Sequence, residues 1–272
     1  MEKGLVWVIG ASSGLGLATA NAFAKDGWRV IAGARSFAQD DAPQANPRRL
    51  TLDATNKESR ERFAAAAKES GERVDALVYC AGVLSLGSCE ECEAYERIMR
   101  VNFLAMTSMV SQVLPTMRAQ GNGRIILFSS INGLLGIPFQ SAYTASKHAI
   151  EGYAECLAME VRRFGVQVCV VEPGDHRGGS QKYRARDEEV NSPYASDWKA
   201  ACAVIDRDEG GGLPPEALGR KVVRNANRAR MRFRLRVAKP DQRLAVVLHD
   251  VLTPGLNFRI LRGYYHVGKG RA

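Results

Sequence analysis

Tyr143 and Lys147 stand four residues apart in Tyr143-Thr144-Ala145-Ser146-Lys147. On a helix that spacing puts both side chains on one face. An ammonium beside a phenol stabilises the phenolate, so the lysine should lower a tyrosine pKa that starts at ~10. A tyrosine tuned in this way can give or take a proton at a carbonyl or an alcohol. Ser129-Ser130 closes a β-rich run 13 residues before the tyrosine. A hydroxyl at that strand end would hold the substrate oxygen.

A second group of residues could bind a phosphate. Gly10-Ala11-Ser12-Ser13-Gly14-Leu15-Gly16 follows the apolar run Leu5–Ile9 and opens a helical pattern. Backbone N–H groups and the dipole at such a helix start favour an anion, a pyrophosphate above all. The spacing is GxxxGxG rather than the commoner GxGxxG. A second run, Arg29–Ala34, ends at Ala34-Arg35 with no acid before Asp40. In dinucleotide-binding folds a carboxylate at this strand end binds a ribose 2′-hydroxyl, whereas an arginine accommodates a 2′-phosphate. Arg35 therefore points to NADP(H) rather than NAD(H).

Positioning these groups requires alternating strands and helices. Strand signals fall at Leu5–Ile9, Arg29–Ala34, Ala76–Tyr79, 124–129 and 167–172. Helical stretches separate them, which predicts a doubly wound parallel sheet with helices on both faces. The first helix buries Leu15, Ala18, Ala22 and Phe23 and stops near Gly27. A helix over 142–164 carries Ile150, Tyr153, Ala154, Leu157 and Val161 on one stripe. Residues 175–215, rich in glycine, proline and charge, read as a mobile substrate lid. A helix over 215–227 and an edge strand over 231–238 complete a single α/β domain spanning 1–272.

Composition narrows the classes. The chain has 272 residues, 46% of them hydrophobic, with no apolar run approaching the ~18 residues of a membrane span. Six scattered cysteines in a chain of this size point to free thiols in a reducing cytoplasm. Cys89 and Cys92 form one CxxC without a second pair, too few ligands for a structural zinc site. The net charge of +9 is uneven, because residues 220–272 hold 14 Lys and Arg against two acids. Arg230, Arg232, Arg234 and Arg236 alternate with apolar residues along the last strand. They read as a charged guard on an exposed edge, or alternatively as a surface for nucleic acid or anionic membrane.

Taken in order, these residues resemble the short-chain dehydrogenase/reductase family over residues 4–178. The further matches are Asp53 in Leu52-Asp53-Ala54, Ala81-Gly82, Asn102 in Val101-Asn102-Phe103, and Pro173-Gly174. The resemblance implies a Rossmann-type fold in which Gly10, Ser12, Ser13, Gly14, Leu15 and Gly16 cradle the cofactor. It also implies that Asp53 and Ala54 meet the adenine, and that Ala81, Gly82, Pro173 and Gly174 border the nicotinamide half. Tyr143 would be the general acid/base and Ser130 would polarise the carbonyl. Lys147 would bind the nicotinamide ribose, and Asn102 would position a water linked to Lys147. Three positions depart from the pattern: Ile9 replaces a threonine, Tyr79-Cys80 replaces a pair of asparagines, and Gly178 replaces a threonine after Pro173-Gly174.

The expected activity is NADP(H)-dependent interconversion of a ketone or aldehyde and an alcohol, on a small hydrophobic substrate. Leu84, Ile137, Phe139 and the 175–212 segment should line its pocket. A cofactor-binding regulator without turnover, or a basic-tail nucleic-acid or membrane-surface binder, are the competing readings. His148 reads as exposed, and His176 as either a cofactor contact or a loop residue. A homodimer is expected through helices over 95–120 and 142–164, helped by small Ala145, Ala149, Gly152 and Ala154. The arginine-lined last strand should prevent further pairing into tetramers.

Overall fold

The computed structural model describes residues 3–37, 44–69, 73–178, 184–186 and 192–268. Seven parallel strands form one sheet: β1 (Leu5–Ile9), β2 (Arg29–Ala34), β3 (Arg48–Thr51), β4 (Ala76–Tyr79), β6 (Gly123–Phe128), β7 (Val166–Pro173) and β9 (Arg234–Val237). Their spatial order is β3-β2-β1-β4-β6-β7-β9. Two short strands, β5 (Ser85–Leu86) and β8 (Ala185–Arg186), pair apart from it. The helices are α1 (Gly14–Lys25), α2 (Lys57–Lys68), α3 (Tyr95–Met99), α4 (Ala105–Gln120) and α5 (Ser141–Val161). After them come α6 (Ala195–Gly210), α7 (Pro215–Ala226), α8 (Pro240–Val251) and α9 (Pro254–Tyr264).

The alternation of each strand sends side chains to two cores. On one face Trp7, Ile9, Leu77, Tyr79 and Ile125 pack under α2, α4 and α5, joined by Phe63, Met106, Met109 and Ile150. On the other, Val6, Val8, Val30 and Val78 pack under α1 and α7 through Phe23, Leu218 and Val222. Strands buried on both faces need continuous apolar runs, and β1 and β4 have them. The chain reverses its direction of winding between β1 and β4. Ligands in open α/β sheets bind at such a switch point, outside the carboxyl ends of the strands.

The predicted β1, β2 and β4 bounds match the observed ones, and β6 and β7 differ by one residue at their ends. The 175–215 segment departs from expectation. Residues 179–183 and 187–191 of the expected lid lie outside the described residues. The rest is largely the 16-residue helix α6, whose Ala201, Cys202, Val204 and Ile205 are buried. Trp198, Ala201, Cys202 and Ile205 are spaced three, one and three apart, a helical stripe diluted by the charges around it. After β9 the chain forms α8 and α9 rather than ending on an edge strand. Each begins with proline at its first helical position, where a missing N–H costs nothing.

The arginine row is shorter than expected and not free. Arg234 bridges to Glu151, Glu155 and Glu172, and Arg236 to Glu172. Arg230 and Arg232 lie before β9. The strand edge therefore carries paired charge, and repulsion between two such edges loses its basis. Ala154 also leaves the expected helix interface: it is buried against the sheet, while Ala145 and Gly152 are exposed.

Candidate active site

At the switch point a cleft of about 580 Å³ opens across the strand ends. Gly10 takes a left-handed φ of 86°, and a Cβ there would lie 2.5 Å from Ala81 N. A Cβ on Gly16 would collide with the Gly10 carbonyl oxygen. These glycines let the loop after β1 close against the loop after β4. Gly10 and Ala11 N–H both donate to Gly33 O, at 2.8 and 3.2 Å. Ser13 caps α1 without a side-chain hydrogen bond, and the first turn holds no acid. The helix start thus offers uncapped backbone donors and a positive dipole end, which fits a phosphate.

Arg35 stands exposed at the rim, just past β2. Across from it, Asp53 Oδ1 accepts from Thr55 N (2.9 Å) and Thr55 Oγ1 (2.6 Å). Burial works to raise the Asp53 pKa, but the Thr55 hydrogen bonds and the Arg35 and Arg60 charges outweigh it and hold the carboxyl below its usual range. Ser12, Gly14, Leu15, Ala54 and Gly82 border the same cleft.

Ser130, at the end of β6, faces α5. It accepts from Asn132 N at 3.2 Å and donates to Asn132 Oδ1 at 3.3 Å. Tyr143 and Lys147 share one face of α5, with Lys147 Nζ 5.3 Å from the Tyr143 ring centroid. Lys147 is 4% exposed and donates to Phe128 O at 2.8 Å. Burial lowers its pKa to about 8, against the opposing charges of Cys80 and Glu151.

The tuning of Tyr143 runs opposite to the expectation. Burial pushes its pKa up to about 12, with the Ser130 hydroxyl pulling the other way. Lys147 directs a proton to the Phe128 carbonyl, and desolvation of the phenolate prevails.

Asn102 sits behind the cleft wall rather than on it. It is fully buried in a π-helical turn, Arg100–Leu104, between α3 and α4. Its Oδ1 lies 3.5 Å, and Lys147 Nζ 3.8 Å, from where a Gly82 Cβ would be. The departure at Tyr79 has its own partner. Its hydroxyl donates to Val101 O at 2.7 Å, at the start of that π turn. Cys80 borders the cleft, and burial raises its thiol pKa.

Pro173 ends β7, and a Cβ on Gly174 would collide with Gln242 Oε1 from α8. His176 is buried at 8% exposure and borders the cleft, so the contact reading fits better than the loop reading. Its Nδ1 meets Gly174 O at 2.8 Å, while Nε2 has no hydrogen-bond partner among the described residues. Gly178 has φ 81°, a conformation that a threonine would occupy only under strain. His148 is exposed, as expected.

The substrate end is less apolar than its sequence suggests. Leu84 and Ile137 line it as expected, and Phe139 packs behind them. The expected 175–212 segment contributes Asp175, His176, Arg177 and, from α6, Ile205, Asp208 and Glu209, whereas Tyr265 just past α9 was not anticipated. Glu209 pairs with the buried Arg184, and Asp208 with Arg207 and the Tyr264 hydroxyl. Asp175 accepts from Gln242 Nε2. Burial, with the charges of Glu209 and Asp208 added, pushes the Asp175 pKa up to about 6. Among the described residues, no cluster of His, Cys, Asp and Glu could hold a metal ion.

The sequence pattern of a family described as short chain dehydrogenase matches residues 4–189, two-thirds of the chain. The chain belongs to the short-chain dehydrogenase/reductase family. Membership makes it an oxidoreductase of the family that acts with a nicotinamide dinucleotide, and the glycine cradle and uncapped helix start suit that cofactor. Among similar family members is 3-ketodihydrosphingosine reductase of Bacteroides thetaiotaomicron, 33% identical over 98% of this chain and 100% of that protein. Human 17-beta-hydroxysteroid dehydrogenase type 1 is 33% identical over 70% of this chain and 62% of its own. The crystal structure of a short-chain dehydrogenase from Streptomyces avermitilis superposes with a TM-score of 0.81, at 27% identity and 99% coverage of both chains.

Proposed function

We propose that this dehydrogenase/reductase is an NADP(H)-dependent enzyme that reduces the ketone of a long-chain amino ketone to an alcohol. The observation that carries the reading is the company of Tyr143. Ser130 lies on one side of its hydroxyl, and the carboxylates Asp175, Asp208 and Glu209 share its cleft at the substrate end. The full-length likeness to a 3-ketodihydrosphingosine reductase supports the same substrate class, a ketone on an alkyl chain that bears an amine.

In this reading Gly10, Gly14 and Gly16 admit the pyrophosphate, and Arg35 meets the adenosine 2′-phosphate. Asp53 and Ala54 border the adenine, while Ala81, Gly82, Pro173 and Gly174 border the nicotinamide half. His176 Nε2, buried without a partner among the described residues, would hydrogen-bond the same half. Lys147 holds the nicotinamide ribose. The bound cofactor supplies hydride to the carbonyl carbon. Ser130 donates to the carbonyl oxygen, a bond that strengthens as negative charge builds there. Tyr143, kept neutral by its burial, gives its proton to that oxygen. Asp175 attracts the substrate ammonium, whose charge favours the ionised carboxyl.

Exposed Leu104 and Met159, at the head of α4 and on α5, support a homodimer through those helices. The free cysteines support a reducing, cytoplasmic setting.

The test is NADPH consumption on three ketones: a long-chain 2-amino-3-ketone, the same chain without the amine, and a steroid ketone. The amino ketone should give the highest kcat/KM by roughly tenfold or more, the worth of one charge-assisted contact. A preference for the steroid ketone would replace this substrate class with that of the hydroxysteroid relative.

A further inference from the structure

Ten large apolar side chains are exposed among the described residues, and seven of them fall in α8 and α9. They are not scattered. Leu244, Val247 and Val251 follow one another at three- and four-residue steps on α8, which is one stripe. Leu256, Ile260 and Tyr264 follow at four-residue steps on α9, and Phe258 stands 60% exposed beside them. Single exposed apolar residues need no explanation, whereas contiguous ones mark a surface that meets another apolar phase.

The inner sides of the same helices build the substrate end. Gln242 of α8 holds Asp175, and Val246 packs on Ile131 and Leu135. Leu261 of α9 packs on the cluster of Leu84, Phe139 and Ile205, and Tyr265 reaches the cleft itself. A second, more open groove of about 640 Å³ runs between Phe258 and Leu261 of α9 and the start of α5. It shares Ile137 with the cleft, so the groove adjoins the substrate end.

Charge identifies the other phase. On α9 and just past it, residues 254–268 contain Arg259 and Arg262 and no acid, while α8 carries Arg243 against Asp241 and Asp250, so the basic side of the face is that of α9. Two such faces paired about a two-fold axis would set these arginines near their own copies. Anionic headgroups would instead neutralise them. No described helix is long and apolar enough to cross a membrane, so insertion would be confined to the interface.

We propose that the α8–α9 face docks the protein on a lipid bilayer bearing anionic headgroups, with the Ile137–Phe258 groove opening toward the acyl chains. The proposal rests on the exposed face and its charge, not on the substrate assigned above.

Flotation with vesicles of phosphatidylcholine alone, and of phosphatidylcholine with phosphatidylglycerol, tests it. The protein should float with the anionic vesicles, and less at high salt. The variant V251D/L256D/I260D should bind them at least about tenfold more weakly, because three apolar contacts with the interface are lost. These residues are exposed, so its melting temperature and its turnover of a short, water-soluble ketone should stay unchanged. Absence of flotation with either vesicle would overturn the proposal, as would a variant that floats like the parent. A larger oligomer in sedimentation that the variant dissociates would overturn it too, by making the face a contact between copies of this chain. Flotation is read without any substrate, so its failure is distinct from failure of the substrate assignment.

Discussion

The Asn102 side chain is bonded to the backbone of Val83 at both ends: Oδ1 accepts from Val83 N at 2.8 Å, and Nδ2 donates to Val83 O at 3.0 Å. Nδ2 also reaches Ser146 Oγ at 3.0 Å on α5, one residue before Lys147. One amide thus joins the π turn, the loop after β4 and the catalytic helix. This is a clamp, a task that the side chain performs beside the water-positioning that the family resemblance implied. Asn102→Ala would leave Val83 N–H and C=O without these partners at a partly buried position of the cleft wall. We expect a loss of about 2 kcal/mol from two such partly buried groups, seen as a fall in melting temperature of roughly 4–8 °C. A variant as stable as the parent would refute the clamp.

Cofactor choice should reside in Arg35. It stands at the rim beyond β2 with no acid at Ala34, so a 2′-phosphate meets a cation and a bare ribose gains nothing. NADPH should bind more tightly than NADH by about tenfold or more, and Arg35→Ala should erase most of that difference. Fluorescence titration of both nucleotides reads it directly. Equal affinities in the parent protein would sink the assignment.

Tyr143→Phe removes the hydroxyl and keeps the ring that packs near Ile137 and Phe139. Nucleotide affinity should survive, while ketone reduction falls by about two orders of magnitude or more. The tyrosine pKa of about 12 adds a pH signature. Reduction needs the protonated phenol, so the parent rate should not decline through tyrosine ionisation between about pH 6 and 8. Stopped-flow turnover across that range checks it, and a decline that disappears in the Lys147→Arg variant would instead assign the titration to Lys147.

The β1, β2 and β4 boundaries were readable because each strand is buried on both faces and so is written as an unbroken apolar run. The cleft was readable because glycine is required where chain meets chain: no other residue fits at Gly10 or Gly16. All the expected cofactor and catalytic residues except Asn102 line it. What escaped notice depends on long-range packing. Tyr265 reaches the cleft only because α9 folds over it, and the acid pair Asp208 and Glu209 of the expected segment is brought there by a helix, α6, that no strong local pattern specifies. The same holds for Arg234, whose row of like charges looked repulsive until Glu151 and Glu172 came from α5 and β7 to meet it. Tyr143 shows a third kind of limit. The lysine spacing was correct, but Lys147 Nζ donates to Phe128 O and burial sets the direction of the tyrosine shift.

Asp175 offers a test in which stability and recognition separate. Its pKa is raised to about 6 by burial and by its acidic neighbours, against ~3.9 in the unfolded chain. Between those two values the folded protein binds more protons than the unfolded one, so stability falls as pH rises. Below the lower value the carboxyl is neutral in both states and costs nothing, and above the upper one the cost is complete. Asp175→Asn keeps an oxygen for Gln242 Nε2 and removes the charge. Its advantage in stability over the parent should be absent near pH 4, grow up to about pH 6, and then hold at roughly 1–3 kcal/mol, since each tenfold change in proton affinity is worth ~1.4 kcal/mol. Paired thermal melts across that range measure it. The same substitution should raise KM for the long-chain amino ketone and leave KM for the chain without the amine unchanged. A stability difference that does not vary with pH would show Asp175 to be ionised without cost. An equal rise of KM for both ketones would show that its carboxylate shapes the cleft rather than attracting an amine.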